Sequence, residues 1–444
     1  MYGKKTCLSE RTVQGLPGSL PDVANELIQR RPGKEVREML EAMVRSCAGL
    51  DVHRRQVVCT VIREGKHETR EYGAFYRELK ELARWLQLEQ VEIAVMESTG
   101  IFWKSVYASL EEAGIEGRVV NARHVKQVPG RKTDVQDSEW LAELARCGLL
   151  RPSFIPPRDL RELRLLTRYR RKLTGVLAGE KNRLHKVLDD AGIRLGCVVS
   201  DIDGVSARAM VEALIKGGST PEQIAGQALG RLQKKKDALQ LALEGEISDR
   251  HRLVLQKILA HVKWLRRQMV LIDAQIVAAM KPYQEEWKLL QTIPGLDVLS
   301  AAMLLAEIGV DMSRFGSKHR LCSWAGMCPG NQESAGKRKS GRSRKANSYV
   351  RSLLCEAANS ARKTHSQFQG LYKGLVIRRG HKRAIVAVGH KILQVVYILI
   401  TRKEPYKDPE IDYEALVVHR NAPRWLDALN KYGYLHRLKN PSRE

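Results

Sequence analysis

Gly49-Leu50-Asp51-Val52-His53, Arg54-Arg55-Gln56 and Val57-Val58-Cys59-Thr60-Val61-Ile62 run on without a break. Two stretches of apolar and β-branched residues flank a short polar triplet, which predicts strand, tight turn and strand. Glu68 to Tyr72 predicts a third strand. The same block sets one carboxylate, Asp51, among apolar neighbours, where an unpaired charge is costly. Outward from it, Phe75 to Leu88 carries Leu79, Leu82, Ala83 and Leu86 on one face and predicts an amphipathic helix. Val91 to Met96 predicts a strand, Phe102 to Ala113 a helix, Arg118 to Asn121 a strand and Asp134 to Arg146 a helix.

A three-strand meander followed by alternating helix and strand is the arrangement of the ribonuclease H-like fold. Its layout puts an Asp on the first strand, a second carboxylate at the end of the fourth, and a last carboxylate or pair on a late helix, all converging on divalent metal. Asp51, Glu97, Asp134 and Asp137 hold those places here. Glu97 closes Ile93-Ala94-Val95-Met96 and enters the turn Ser98-Thr99-Gly100. Asp134 and Asp137 lie in Lys132-Thr133-Asp134-Val135-Gln136-Asp137, three residues apart and so on one helix face. Carboxylates sharing a face repel each other unless a cation sits between them. Each alone also reads as a satisfied structural residue or as a solvated helix start favoured by the macrodipole. Four together at the expected element ends favour a metal site.

Composition points the same way. Across 444 residues, Lys+Arg 76 against Asp+Glu 50 gives a formal charge of +26, which suits a polyanionic partner. Nucleic acid is the first candidate and an anionic membrane surface the second. No membrane partner is expected, because no apolar run reaches the roughly 18 to 20 residues of a spanning helix and the polar N-terminus lacks a signal-peptide core. Ile385 to Ile400, interrupted by Gly389, His390, Lys391 and Gln394, reads as a buried helix. The eight cysteines include no C-x-x-C pair, so reduced thiols in a cytoplasmic protein are expected, with Cys322 and Cys328 as small core residues.

Five segments follow: an extension at residues 1–45, broken by Gly and Pro; an α/β domain at 46–157, ending in the linker-like Arg151 to Pro157; long helices at 158–284; a mostly helical domain at 285–405; and a tail at 406–444. In the first long helix Leu163, Leu166, Leu173, Leu177, Leu184 and Val187 recur, with Arg170 and Glu180 interrupting. In the second, Leu255, Ile258, Val262, Leu265, Met269, Ile272, Ile276 and Ala279 alternate spacings of three and four. Such a seam predicts that the two helices pair as a coiled-coil hairpin, within or between chains, the plainer alternative being a helical hairpin with a buried seam. The segment inserted between them, 196–247, carries Lys234-Lys235-Lys236, a phosphate contact or simply a solvated face.

Ile293-Pro294-Gly295 between two short helices resembles a helix-hairpin-helix element, whose backbone N–H groups can hold a phosphate. From Lys337 to Arg383 there are 14 Lys and Arg against one acid, Glu356, so half of the excess charge falls in 47 residues. Candidate nucleic-acid contacts are Lys132, Lys337, Arg338, Lys339, Arg342, Arg344, Lys345, Arg351, Arg378, Arg379, Lys382 and Arg383. Ser334 lies three residues before this stretch. Its hydroxyl could cap a turn, donate to a phosphate, or act as a nucleophile whose developing charge the cationic neighbours stabilise.

Two blocks, in this order and spacing, resemble a known family. The first is Gly49-Leu50-Asp51-Val52-His53 with Met96-Glu97-Ser98-Thr99-Gly100 and Lys132 to Asp137. The second runs from Ile293-Pro294-Gly295 through Trp324-Ala325-Gly326-Met327-Cys328-Pro329 and Glu333-Ser334-Ala335-Gly336-Lys337 to Asn347-Ser348-Tyr349-Val350-Arg351. Over about Gly49 to Pro405 the chain resembles the bacterial insertion-sequence transposases of the IS one-ten, or DEDD, family, with a RuvC-like N-terminal domain and a C-terminal serine transposase domain. The resemblance implies that Asp51, Glu97, Asp134 and Asp137 bind Mg2+ or another divalent metal, and that Ser334 becomes covalently linked to DNA. It further implies composite sites, often across subunits; the apolar seam of the long helices adds the expectation of a homo-oligomer, a dimer or tetramer, through the coiled coil. A structured noncoding (bridge) RNA pairing with the DNA of element ends and target is also implied. The extension, the insert, the tail with Trp425, Tyr432 and Tyr434, and Ala335 depart from the pattern. The leading expectation is a DNA recombinase that excises and inserts its element in the bacterial cytoplasm. The alternatives are a metal-dependent Holliday-junction resolvase or nuclease using water, and a noncatalytic nucleic-acid scaffold.

Overall fold

β1 (Ser46–Val52) and β2 (Gln56–Arg63) pair antiparallel about the turn at residues 53–55, with Val52 opposite Val57 and Ser46 opposite Arg63. β3 (Lys66–Gly73) adds antiparallel to β2. After α1 (Tyr76–Leu88), β4 (Ile93–Glu97) returns parallel on the far side of β1, and after α2 (Trp103–Glu112), β5 (Glu116–Val120) lies parallel to β4. The order β3-β2-β1-β4-β5 with this mix of directions is the ribonuclease H-like sheet. The structure is a computed structural model that describes residues 44–98, 100–121, 134–330, 332–334, 337–340, 343, 346–409 and 412–434. It divides into two units, Met1–Ile155 and Pro156–Glu444. All but two residues of the expected N-terminal extension lie outside the described residues.

The period-two alternation of the strands sorts their side chains onto two faces. Ala48, Leu50, Ala94 and Met96 meet Leu79, Leu82 and Leu86 of α1 and Val106 and Leu110 of α2. Cys47, Ile62, Ile93, Val95 and Val120 meet Leu141, Ala142, Leu144 and Ala145 of α3 (Asp134–Arg146) on the other. β5 starts two residues before the expected Arg118, because ladder pairing with β4 recruits Glu116 opposite Ile93. Gly49 is required where β1 and α3 meet. A Cβ there would stand 2.1 Å from the Ser138 carbonyl oxygen and 2.4 Å from the Ala142 nitrogen.

In the second unit α4 (Arg158–Asp190) is followed by the short helices α5 (Leu195–Val198), α6 (Val205–Lys216), α7 (Pro221–Ala225) and α8 (Lys236–Ala242), and then by α9 (Asp249–Ala279). α4 and α9 run antiparallel along each other within the chain. The residues that interrupt the apolar repeat of α4 are met across the pair. Arg170 donates to Asp273 at 2.8 and 3.2 Å, and His261 Nδ1 lies 3.1 Å from Glu180. The seam is not uniform: Leu255, Ile258, Val262, Leu265 and Ile276 are buried, Met269 and Ile272 half-buried, and Ala279 exposed. The inserted helices share one core with the ends of the pair, Met210, Val211, Leu214, Ile224 and Leu239 packing on Leu184, Leu188, Leu255 and Ile258. Lys234, Lys235 and Lys236 are exposed.

The rest of the unit comprises α10 (Gln284–Gln291), α11 (Val298–Ile308), α12 (Lys318–Trp324), the hairpin of β6 (Gln332–Ser334) and β7 (Lys337–Ser340), α13 (Ser348–Ala361), α14 (Gln367–Arg379), α15 (His381–Arg402) and α16 (Tyr413–Lys431). The breaks seen in Ile385 to Ile400 do not interrupt α15. It forms 22 continuous residues with a mean hydropathy of 1.8 over its most apolar window, enough by length and composition to cross a membrane. Its place in the fold is a core: Ala384, Ile385, Val388, Ile392, Leu393 and Val396 are buried against the helices around it.

Candidate active site

The parallel register of β1 and β4 pairs Gly49 with Val95 and Leu50 with Met96. The next position on each strand is Asp51 and Glu97. Side chains alternate along both strands, so these two carboxylates fall on the face of Cys47, Gly49, Ile93 and Val95, the face that α3 covers. Adjacent strands lie about 4.8 Å apart, so their backbones hold the two acids as close neighbours. Asp51 keeps 18% of its side-chain surface exposed, and His53 Nε2 is 3.0 Å from its Oδ2. Glu97 is half-buried.

α3 is fixed on this face by polar and close backbone contacts. Cys47 Sγ donates to the Ala142 carbonyl at 3.3 Å, Ser138 stands against Gly49, and its hydroxyl bonds the Thr60 hydroxyl at 2.7 Å. Two residues forward on β1 therefore match four residues back on α3, steps of about 6.6 and 6 Å. The next step of each reaches Asp51 and position 134, the first residue of the helix. Asp137 is exposed one position before the fully buried Ser138. Lys132 and Thr133 lie outside the described residues. Among the described residues no group of three or more His, Cys, Asp or Glu is gathered as a metal cluster, so the pair that the structure brings together is Asp51 with Glu97. Burial, with smaller charge effects, pushes the Cys47 and Cys322 thiols up to about 12.

In the second unit Ser334 is the last residue of β6, paired with Lys337, the first of β7. Two residues separate them, which puts the serine backbone at the tip of the hairpin with the basic run Lys337-Arg338-Lys339 on the returning strand. Arg342, Arg344 and Lys345 lie outside the described residues. Arg351 is half-buried, and its Nη1 donates to Ser343 Oγ at 3.0 Å. Arg378, Arg379, Lys382 and Arg383 are all exposed where α14 passes into α15 through Gly380. Arg378 and Arg379 end a helix, where cations are favoured. Lys382 and Arg383 begin one, with no acid in that first turn, where the macrodipole opposes them. Cations held against the dipole suit a surface that binds phosphate.

The Ile293-Pro294-Gly295 turn does join two helices, α10 and α11. Gly295 has φ of 92°, and a Cβ there would meet the Ala357 carbonyl at 2.3 Å. The start of α11 already holds an anion of its own. Asp297 Oδ1 accepts from the Ser300 N–H at 2.7 Å, and Ser300 Oγ accepts from the Asp297 N–H at 2.7 Å. That capping box uses two of the donors a phosphate would need.

Sequence reasoning passed over Glu307, a buried acid on α11. Arg168 Nε and Nη2 donate to its two oxygens at 2.8 and 3.0 Å, Arg164 Nε lies 3.3 Å away, and Asn347 Nδ2 donates at 2.8 Å. Burial raises its pKa, but the Arg168 hydrogen bonds and the charges of Arg164 and Arg168 outweigh it and hold the carboxyl below its ordinary value. The apolar run Ala301 to Ile308 gave no signal for it beyond one acid among aliphatics.

A ribonuclease H-like sheet with acids at two strand ends, joined to a basic helical unit, defines a nucleic-acid-processing class. Two family models match this chain: the DEDD transposase model of IS110 over residues 48–193 and the transposase IS116/IS110/IS902 family model over 287–373, together just over half of its length. The chain belongs to the IS110 family of transposases. It is 24% identical over 330 residues to the transposase for insertion sequence element IS1111A of Coxiella burnetii, covering 72% of this chain and 80% of that one. It is 26% identical over 310 residues to the 42 kDa protein of insertion element IS900 of Mycobacterium paratuberculosis, covering 64% and 75%. Among solved structures, Thermus thermophilus RuvC in complex with a Holliday junction substrate aligns at 14% identity and a TM-score of 0.21, over 24% of this chain and 99% of that one.

Proposed function

We propose that this transposase excises and inserts its element by a serine-linked strand exchange, with Asp51, Glu97, Asp134 and Asp137 as the acids of a divalent-metal site and Ser334 as nucleophile. The observation that carries the reading is the register of β1 and β4, which sets Asp51 and Glu97 side by side on the face where α3 begins. Carboxylate oxygens are hard donors, and two on one face fit Mg2+ or a similar cation. When bound there, such a cation supplies charge stabilisation at a scissile phosphate.

The chain's own groups supply the rest. Ser334 Oγ attacks phosphorus as the bond from that phosphorus to one sugar oxygen breaks; the serine proton leaves and the departing sugar oxygen takes one up. In the reverse sense a sugar hydroxyl from another strand attacks the phosphoserine and releases Ser334. One ester bond is exchanged for another at each step, so no water or energy source is consumed. Lys337, Arg338 and Lys339, adjoining Ser334 in the hairpin, favour the added negative charge of the transition state. The exposed cations Arg378, Arg379, Lys382 and Arg383 bind the polyanion backbone. In this reading the polyanions are element and target DNA and a structured noncoding RNA.

The test uses element-end DNA, the flanking noncoding RNA and Mg2+ with the intact chain. Wild-type protein gives joined or covalently linked products. Asp51→Asn or Glu97→Gln loses more activity than the roughly 10- to 100-fold typical of an outer-shell change, with circular dichroism and DNA affinity unchanged. Hydrolysed ends without joining, or full activity in either variant, would contradict the proposal.

A further inference from the structure

Glu307 has no part in the chemistry above, yet three side chains from two other segments converge on it. Its own side chain is 4% exposed. Arg164 and Arg168 reach it from α4, and Arg164 also donates to the carbonyls of Ala306, at 2.9 Å, and of Glu307 itself. Asn347 reaches it from the start of α13 and acts in two directions. Its Oδ1 accepts from the N–H groups of Tyr349 and Val350 at 3.0 and 3.2 Å, while its Nδ2 donates to Glu307 Oε2. The Arg168 guanidinium lies 4.6 Å over the Tyr349 ring. Four residues upstream, Ser343 is tied to Arg351. The stretch that leads from β7 into α13 is thus pinned twice on its described residues.

A two-stranded hairpin is marginal by itself, so the placement of β6 and β7 depends on what holds their feet. A buried ion cluster is weak evidence for stability, since apolar replacements are often neutral, and its better-attested use is to fix register. We infer that Glu307 is a positioning residue: by holding Asn347 against the Arg164–Arg168 face of α4, it fixes the downstream foot of the hairpin that carries Ser334. This rests on the assignment of Ser334 as nucleophile. Misplacing a reacting group by about 1 Å costs on the order of a hundredfold in rate, whereas backbone contacts to DNA elsewhere on the unit are untouched.

Two variants of the full chain test it. Glu307→Gln removes the charge that both arginines and Asn347 address. Asn347→Ser keeps an oxygen able to cap α13 but lacks the amide donor to Glu307. Three readouts are taken well below the thermal midpoint: hydrogen exchange of the amides at 341–350, affinity for element-end DNA, and the single-turnover rate of covalent adduct formation. Each variant is expected to exchange faster at 341–350 and to form adduct about 10- to 100-fold more slowly at unchanged DNA affinity. The double variant should be no slower than the slower single, because the two residues share one contact. Exchange and adduct rate equal to wild type in Asn347→Ser, or additive losses in the double variant, overturn the inference. Should wild-type protein form no adduct, the assignment of Ser334 has failed instead, and exchange alone decides the clamp: faster exchange supports it and unchanged exchange overturns it.

Discussion

Asp51 and Gly49 sit two residues apart on one face of β1 and show what a single position needs around it. Gly49 permits α3 to approach until the Ser138 carbonyl nearly touches the strand, and that approach brings the first turn of α3 level with Asp51. Gly49→Ala therefore does more than add a methyl group. It should lower stability by about 1–3 kcal/mol, as overpacking does, measured by urea unfolding, and should also cut strand-transfer activity by displacing the helix. A Gly49→Ala protein as stable and as active as wild type would contradict the packing described. The places of Asp51 and Glu97 near the ends of two neighbouring strands were legible in the sequence, because each closes or interrupts an apolar run where a charge is costly to bury. Glu307 was not, since its partners Arg164, Arg168 and Asn347 lie far from it along the chain and only packing brings them together.

At the scale of elements, α15 joins two demands in one helix. Its middle is a core and its first turn is a cluster of exposed cations. Lys382→Glu with Arg383→Glu should make the helix slightly more stable, by about 0.3–1 kcal/mol per residue through the macrodipole, while weakening nucleic-acid binding. The log–log salt dependence of that binding should shrink by about one unit for each phosphate that the variant no longer neutralises. Thermal unfolding and salt titrations check the two effects, and a variant that binds DNA normally would show that this surface does not bind the polyanion. Apolar periodicity made α4 and α9 readable, because long seams repeat many times. Arg170 and Glu180 looked like interruptions because their partners, Asp273 and His261, stand on the other helix. The early start of β5 was not legible either, since ladder pairing rather than composition extends it.

Over the whole molecule, an excess of +26 is divided so that half falls between Lys337 and Arg383. That charge, the ribonuclease H-like sheet and the family match agree on a transposase. In the proposed reaction each of the two units contributes one half of the chemistry, acids in the first and a serine in the second. The most direct test is to incubate the full chain with Mg2+, its flanking noncoding RNA and labelled element-end DNA, denature, digest, and identify the peptide that retains the nucleotide. The expected result is a phosphodiester link at Ser334, absent in Ser334→Ala and in Asp51→Asn. A link at any other residue, or efficient joining by the Ser334→Ala protein, would contradict it.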